Sequence, residues 1–466
     1  MQDLSRSLED RLAALYGKRP QVIKPGLARM EAALGCLESD LLRIPSVLVG
    51  GTNGKGSTAG FLWEMLARSG KTVGLYSSPH LWHFAERIQV SGLRIDDAYL
   101  VSVLESLEKD LPSDVFQALS FFEVTTLLAF RAFKESKVDI VVLEVGLGGR
   151  FDATNVADPV MSIITSIALD HQQYLGPTTK DIAREKAGIM RPGRPVFWGG
   201  LGAGDPDSDR VIRKAAESLG SPLICEGEHF GWREGKLFVD LFGSGSSSQS
   251  SPVSASVRSS AKVWPEEALP QEIKRAPPFL RSNFSKAVAA YCHLMHQNLA
   301  PGDLDALIAN WDSAPYRKAP SRYGRFHAHW GAPNGFKPRS IILDVGHNPA
   351  GAQAFVEGLR AAGLLSHGPL PGLVSILGDK DIGGILDVLR PVLHPLLVFA
   401  SSSERSLNQE MVPSQHRDLA FFSDFSRAWQ VLDQGQPDDR PWVITGSVHA
   451  IGDVFQVLSI DPLSDT

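Results

Sequence analysis

VLVGGTNGKGST, residues 47–58, decides the fold. The run Ile44–Val49 is short and apolar, as a buried strand would be. Four glycines then crowd into seven positions: Gly50, Gly51, Gly54 and Gly56. Glycines let backbone N–H groups turn toward an anion, and a helix starting there adds the positive end of its dipole. Residues 57–69 have helical spacing, with Phe61, Leu62, Met65 and Leu66 apolar. Strand, glycine turn, lysine and helix together predict a loop that cradles phosphate. Gly54, Lys55, Gly56 and Ser57 would hold the phosphates, with Lys55 as the mobile charge and catalytic cation. Ser57 and Thr58 offer hydroxyls to phosphate or a bound metal. The common pattern G-x-x-x-x-G-K-[ST] is not met as written, because Gly56 separates Lys55 from Ser57. A glycine turn that binds nothing is the plainer alternative, and the coincidence of all four features speaks against it.

Outward from this loop, strands are expected at 72–76, 140–143 and 161–167. They alternate with helical patterns at 96–110, 122–135 and 178–190, after amphipathic helices at 10–18 and 26–42. Such alternation points to an α/β fold with a mostly parallel sheet. A helix is expected at 281–298, then a Pro-, Ser- and Arg-bearing linker at 314–323. Strands at 340–344, 373–377, 396–400 and 442–445, alternating with helices at 350–362, 382–390 and 424–433, make a second, smaller α/β unit. Two domains are therefore expected, 1–319 and 320–466. The stretch 243–260 differs from both: ten of its eighteen residues are Ser, which reads as a flexible surface insertion.

The 466 residues suffice for two large cores. A net charge of −6 argues against a general nucleic-acid partner. Cys36, Cys225 and Cys292 are too few and too scattered for a disulfide framework, which fits a reducing compartment. No apolar run reaches membrane-spanning length, and the N-terminus has no apolar signal core. A cytoplasmic, monomeric protein without membrane attachment is expected.

The loop spelled GTNGKGS resembles that of the folylpolyglutamate synthase and dihydrofolate synthase family, relatives of the Mur ligases. Other stretches resemble the family in the same order: PGLARM (25–30), SSPHLWHFAERIQVSG (77–92), SFFEVTT (120–126) and LEVGLGGRFDATN (143–155). SIALDHQQYLG (166–176), IAREKAGI (182–189), LDVGHNP (343–349), GDKD (378–381) and ITGSVHAIGD (444–453) continue the likeness through the chain. The segment PPFLRSN before Asn283 departs from the family, lacking a His-Gln pair common in many members.

The resemblance implies a P-loop ligase domain followed by a Rossmann-like domain, with ATP in the cleft between them. It implies that a substrate carboxylate is phosphorylated by ATP and that the amine of L-glutamate attacks the resulting acyl phosphate. The pterin acid would be dihydropteroate, a folate, or both. Two anions must meet in this reaction, so Mg²⁺, in two ions, and cationic side chains would screen them. By resemblance Ser78, Glu144 and His171 are metal ligands, with His171 also catalytic. Lys186 looks like the family's carbamylated lysine, serving the second metal and the catalysis. A neutral lysine amine adds CO₂, and burial near cations favours that neutral form. Taken by itself, Lys186 would read as a surface lysine on a helix.

For the base and ribose of ATP the resemblance points to Asn283, Arg325 and Asp344, and His347 is expected to line the same cleft. For the pterin it points to Lys24, Pro25, Gly26, Leu27, Phe122, Phe151 and Ala153. Aromatic rings suit a flat heterocycle, although Phe122 and Phe151 could equally be core. His80, Trp82 and Phe84, on the loop that resembles the family's mobile loop, could also cover this pocket. GLGGR (146–150) does not fit G-x-G-x-x-G, which argues against a dinucleotide. Two other readings remain: a Mur-type amino-acid ligase, and a catalytically silent nucleotide-binding protein. Only 54 residues precede Lys55, little room for the extra domain of the first. The joint presence of Lys55, Ser78, Glu144, His171 and Lys186 argues against the second.

Overall fold

The computed structural model describes residues 26–37, 40–81, 83–91, 93–200, 205–241, 262–297, 303–309, 323–326, 340–435 and 440–458, with residues 8, 10–12 and 311 besides. For 93–94 and 323–326 it describes the backbone alone. The Ser-rich stretch 243–260 and most of the expected helix 10–18 and linker 314–323 lie outside the described residues.

The first sheet has eight strands. They are β1 (Ser46–Gly50), β2 (Val73–Tyr76), β3 (Ile88–Val90), β4 (Leu93–Arg94), β5 (Ile140–Glu144), β6 (Met161–Ile164), β7 (Val196–Trp198) and β8 (Leu223–Cys225). Their order is β4-β3-β2-β5-β1-β6-β7-β8. From β2 to β8 every pairing is parallel; β3 and β4 run antiparallel at one edge. All five residues of β1 and of β5 are buried, as strands covered on both faces should be. Register sets the chemistry: Val49 pairs with Glu144, Tyr76 with Leu143 and Gly50 with Ile164. The phosphate loop, Ser78, Glu144 and the segment after Ile164 thus leave one carboxyl edge, where α/β sheets place ligands.

Helix Lys55–Arg68 carries its apolar side onto this sheet, burying Leu62, Trp63, Met65 and Leu66. It packs there beside helix Pro278–His296, whose Phe284, Val288 and Tyr291 lie in the same core. The opposite face is covered by helices Asp97–Asp110 and Phe121–Glu135.

A small antiparallel sheet follows: β9 (Phe230–Arg233), β10 (Lys236–Val239) and β11 (Lys262–Trp264), with β10 central. The second large sheet comprises β12 (Tyr323–Phe326), β13 (Ile341–Asp344), β14 (Leu370–Val374), β15 (Leu393–Phe399), β16 (Phe421–Phe422) and β17 (Trp442–Thr445). Its order is β12-β13-β17-β14-β15-β16, parallel except for β12 on β13. The two-unit, mixed α/β architecture agrees with expectation.

Several boundaries differ, each for a local reason. The strand expected at 161–167 ends at Ile164, because Thr165 and Ser166 turn to hydrogen-bond the phosphate loop instead. The helix expected at 178–190 ends at Ala187, and Gly188 N–H bonds back to Glu185 O. The helix expected at 26–42 spans Ala28–Cys36, stopped where Leu37 becomes extended at φ −96° and ψ 174°. The strand expected at 373–377 begins earlier, at Leu370.

Candidate active site

The phosphate loop is shaped by close approaches that only glycine allows. Gly51 has φ +138°, and a Cβ there would fall 2.0 Å from Thr165 Oγ1. Thr165 Oγ1 in turn donates to Asn53 O at 2.7 Å, and Asn53 N donates to Ser166 Oγ at 3.1 Å. Gly54, at φ +85°, stands at the start of helix Lys55–Arg68 and brings no side chain to cap it. The first-turn N–H groups, those of Gly56 and Ser57 among them, are therefore left for an anion. Asn283 closes the loop from behind: a Cβ on Gly54 would fall 2.5 Å from Asn283 Oδ1. Lys55 Nζ folds back to donate to Thr52 O at 3.0 Å.

Lys186 lies behind the same loop and is 4% exposed, so it is no surface lysine. Its Nζ donates to Gly51 O at 2.7 Å. Burial first, and the nearby Lys55 charge second, bring its amine down to about 7. Glu144 ends β5 fully buried, and its Oε2 accepts from Ser78 N–H at 3.1 Å. Serine and carboxylate oxygens are hard donors of the kind Mg²⁺ takes. Cys225, Glu228 and His229 also cluster at ligand spacing, but elsewhere, at the end of β8, where Arg213 already donates to Glu228 at 2.7 Å.

His171 occupies a left-handed turn, φ 50°, directly after Asp170. Asp170 is the point where both sheets meet. It receives Lys380 Nζ on Oδ1 at 2.6 Å, with Asn348 Nδ2 at 3.2 Å and His347 Nε2 at 3.1 Å from Oδ2. Burial alone would raise the carboxyl's pKa; the His347 bond and the charges of His347, His171 and Lys380 instead hold it well below the usual range. Lys380 Nζ also lies 3.2 Å from His171 Nε2. Burial, then Lys380, His347 and Lys55 against the opposing pull of Asp170, bring His171 down to about 4. Asn348 further exchanges reciprocal 3.1 Å hydrogen bonds with Asn53 of the phosphate loop. Both halves of the chain thus converge on the loop end.

Asp344 closes β13 and keeps its hydrogen bonds within the second unit: Gly346 N–H at 2.7 Å and Thr445 Oγ1 at 3.4 Å. Burial pushes its carboxyl up to about 7. Arg325 sits in β12 opposite Ile342; its side chain lies outside the described residues.

The expected pterin residues divide. Phe122, on helix Phe121–Glu135, presses on Gly146, where a Cβ would fall 2.5 Å from its ring, and tilts against Tyr76 at 5.9 Å. The Arg29–Glu123 ion pair at 2.9 Å ties this helix to the segment carrying Gly26 and Leu27. Phe151 is 47% exposed and so not core. Ala153 is buried, and its side chain packs in the core cluster that Phe122 lies against. Lys24, Pro25 and Trp82 lie outside the described residues. On the loop after β2, Arg87 donates to His80 Nδ1 at 2.8 Å, and burial followed by Arg87 lowers His80 to about 3. Leu81 from this loop inserts into the core of the second unit with Ile341, Leu343 and Ile451.

Sequence reasoning assigned no role to Asp170, Asn348, Lys380, Asn53 or Arg29. Four of them stand inside quoted stretches, and Asn53 lies in the loop itself, so a signal was present. What was missing was the pairing across sequence, such as the 210 positions from Asp170 to Lys380.

Residues 49–216 match the Mur ligase middle domain. A dihydrofolate synthase/folylpolyglutamate synthase of Mycobacterium tuberculosis is 32% identical over 83% of this chain and 77% of its own. A bifunctional folylpolyglutamate synthase/dihydrofolate synthase solved with Mn, AMPPNP and L-glutamate superposes with TM-score 0.75 at 28% identity, covering 97% of this chain and 98% of that one. An Escherichia coli protein solved with DHPP and ADP superposes with TM-score 0.75 at 27% identity, covering 97% of both chains. With this site at the meeting of its two sheets, the chain belongs to the dihydrofolate synthase/folylpolyglutamate synthase family.

Proposed function

We propose that this chain joins L-glutamate to a pterin-bearing acid in an ATP-dependent reaction: dihydropteroate, the γ-carboxylate of a folate, or both. It is an ATP-dependent acid–amino-acid ligase. A carboxylate resists attack by an amine, so its oxygen first takes the γ-phosphoryl of ATP and ADP leaves. The α-amine of glutamate then attacks the acyl carbon, loses a proton, and inorganic phosphate departs. The observation that carries this reading is that His347, Asn348 and Lys380 gather on Asp170 while Asn348 also bonds Asn53 of the loop that opens the uncapped helix at Lys55.

In this reading the loop N–H groups and Lys55 bind the triphosphate and orient its γ-phosphoryl. Asn283 supports the loop at Gly54, while Asp344, Arg325 and His347 hold the base and ribose side. Phe122, the exposed Phe151 and the segment 24–27 receive the pterin. Ser78 and Glu144 would hold one Mg²⁺, and His171 with a carbamylated Lys186 a second. Bound Mg²⁺ supplies charge neutralisation for the triphosphate and the transferring phosphoryl. The buried amine of Lys186, down to about 7, supports carbamylation, because the neutral form is the one that adds CO₂.

The ligase domain spans 1–319 and the second domain 320–466; the pairing of Tyr323–Phe326 with Ile341–Asp344 supports a boundary just before Tyr323. No described helix is long and apolar enough to cross a membrane. The three scattered cysteines support a cytoplasmic setting.

A product assay offering dihydropteroate and tetrahydrofolate side by side tests the substrate reading. Glutamylated product from at least one acceptor, only with ATP present, is expected. No product from either would overturn it.

A further inference from the structure

Glu226 lies just past β8, and its N–H bonds to Trp198 O at the end of β7. Its side chain gathers three residues from the first turns of helix Pro278–His296. Lys286 Nζ lies 2.7 Å from Oε2, Ser282 Oγ donates to Oε2 at 3.0 Å, and Ser285 Oγ donates to Oε1 at 3.3 Å. Lys286 is 2% exposed and also bonds Ser282 Oγ at 2.5 Å and Ser282 O at 3.2 Å. Its stem lies over Gly199, where a Cβ would fall 1.9 Å from Lys286 Cε and 2.5 Å from Thr165 O. Thr165 is the residue whose hydroxyl braces the phosphate loop at Asn53 O.

Lys286 is buried and Glu226 partly so, and such a pair loses hydration that a well-packed apolar pair would not lose, so stability alone does not explain it. Directional bonds do what an apolar contact cannot: they fix the rotation and the rise of a helix. The three gathered residues, 282, 285 and 286, bracket Asn283. Asn283 is 6% exposed, and its amide rests against Gly54. A slip of this helix would move that amide against the loop.

We infer that Glu226 is a positioning residue for the nucleotide site, acting through Ser282, Ser285 and Lys286 to set Asn283 against Gly54. The inference rests on the nucleotide role proposed for Asn283.

The test uses the full-length enzyme with Glu226→Gln, with the double variant Ser282→Ala/Ser285→Ala, and with Asn283→Ala. Glu226→Gln should raise the KM for ATP about tenfold, while the KM for glutamate and kcat at saturating ATP change little. A merely structural role would lower the melting temperature and leave the KM for ATP alone. If Glu226→Gln does not fold, the serine variant, which strands no charge, should show the same split at several-fold. Folded variants with an unchanged KM for ATP, while Asn283→Ala raises it, would overturn the positioning role only. An unchanged KM for ATP in Asn283→Ala would overturn the nucleotide role of Asn283 and this inference together.

Discussion

Lys380 Nζ lies 2.6 Å from Asp170 Oδ1, with both side chains 6% exposed, and this ion pair joins the second domain to the first beside the phosphate loop. Asp170 keeps His347 and Asn348 as further partners, so closure rests on several bonds at one carboxylate. Removing one member of a buried pair typically costs about 3–5 kcal/mol. Lys380→Met should therefore loosen the docking of the two domains. Small-angle scattering of the ligand-free protein should give a larger radius of gyration, and turnover should fall. An unchanged radius and rate would mean that closure does not depend on this pair.

Lys55→Ala should abolish turnover with the fold intact. Lys55 is half-buried and its Nζ donates to the Thr52 carbonyl of the loop, so a melting curve should show the variant still folded. The rate should fall by about a hundredfold or more, since a preorganised cation at the transferring phosphoryl is removed. Near-normal activity in a steady-state assay would remove the phosphate-loop assignment.

Lys186 should carry one CO₂. Its amine is neutral above about pH 7, so loading should rise as pH rises through that value and reverse below it. Intact mass measured in bicarbonate should show one added CO₂, lost in Lys186→Arg. An unmodified lysine in an active crystal would contradict this.

Asp344 should cost stability at neutral and alkaline pH. Its folded pKa is raised to about 7, so between about pH 4 and 7 the folded state binds more protons than the unfolded state. Stability should fall as pH rises through that window and stay low above it. Asp344→Asn keeps the acceptor for Gly346 N–H and should stabilise the protein at pH 8 by about 2–4 kcal/mol while weakening ATP binding. Denaturant midpoints at pH 5 and 8 check this; equal effects of the substitution at both would contradict it.

Much of this was legible in the sequence because it is local. In VLVGGTNGKGST the strand, the turn and the helix start are written within twelve residues, and Glu144 is marked by the end of its own apolar run. Strands β13, β14, β15 and β17 of the second sheet were legible for the same reason, whereas β12 and β16 were not. Legibility fails where a contact is made by distant segments. Neither Asp170 nor Lys380 signals its partner, Arg29 gives no hint of Glu123, and Leu81 carries no sign that it fills another domain's core. The small sheet β9–β11 was missed because strands of three or four residues leave almost no periodicity. That Phe122 lies against the core while Phe151 stands exposed was not written locally either, because burial depends on what packs above a side chain.

Phosphate release from ATP, followed with each substrate omitted in turn, tests the central claim most directly. Release that requires L-glutamate and a pterin acid together, and that disappears when either is withheld, is the expected result. Release that needs neither substrate, or no release with both present, would contradict it.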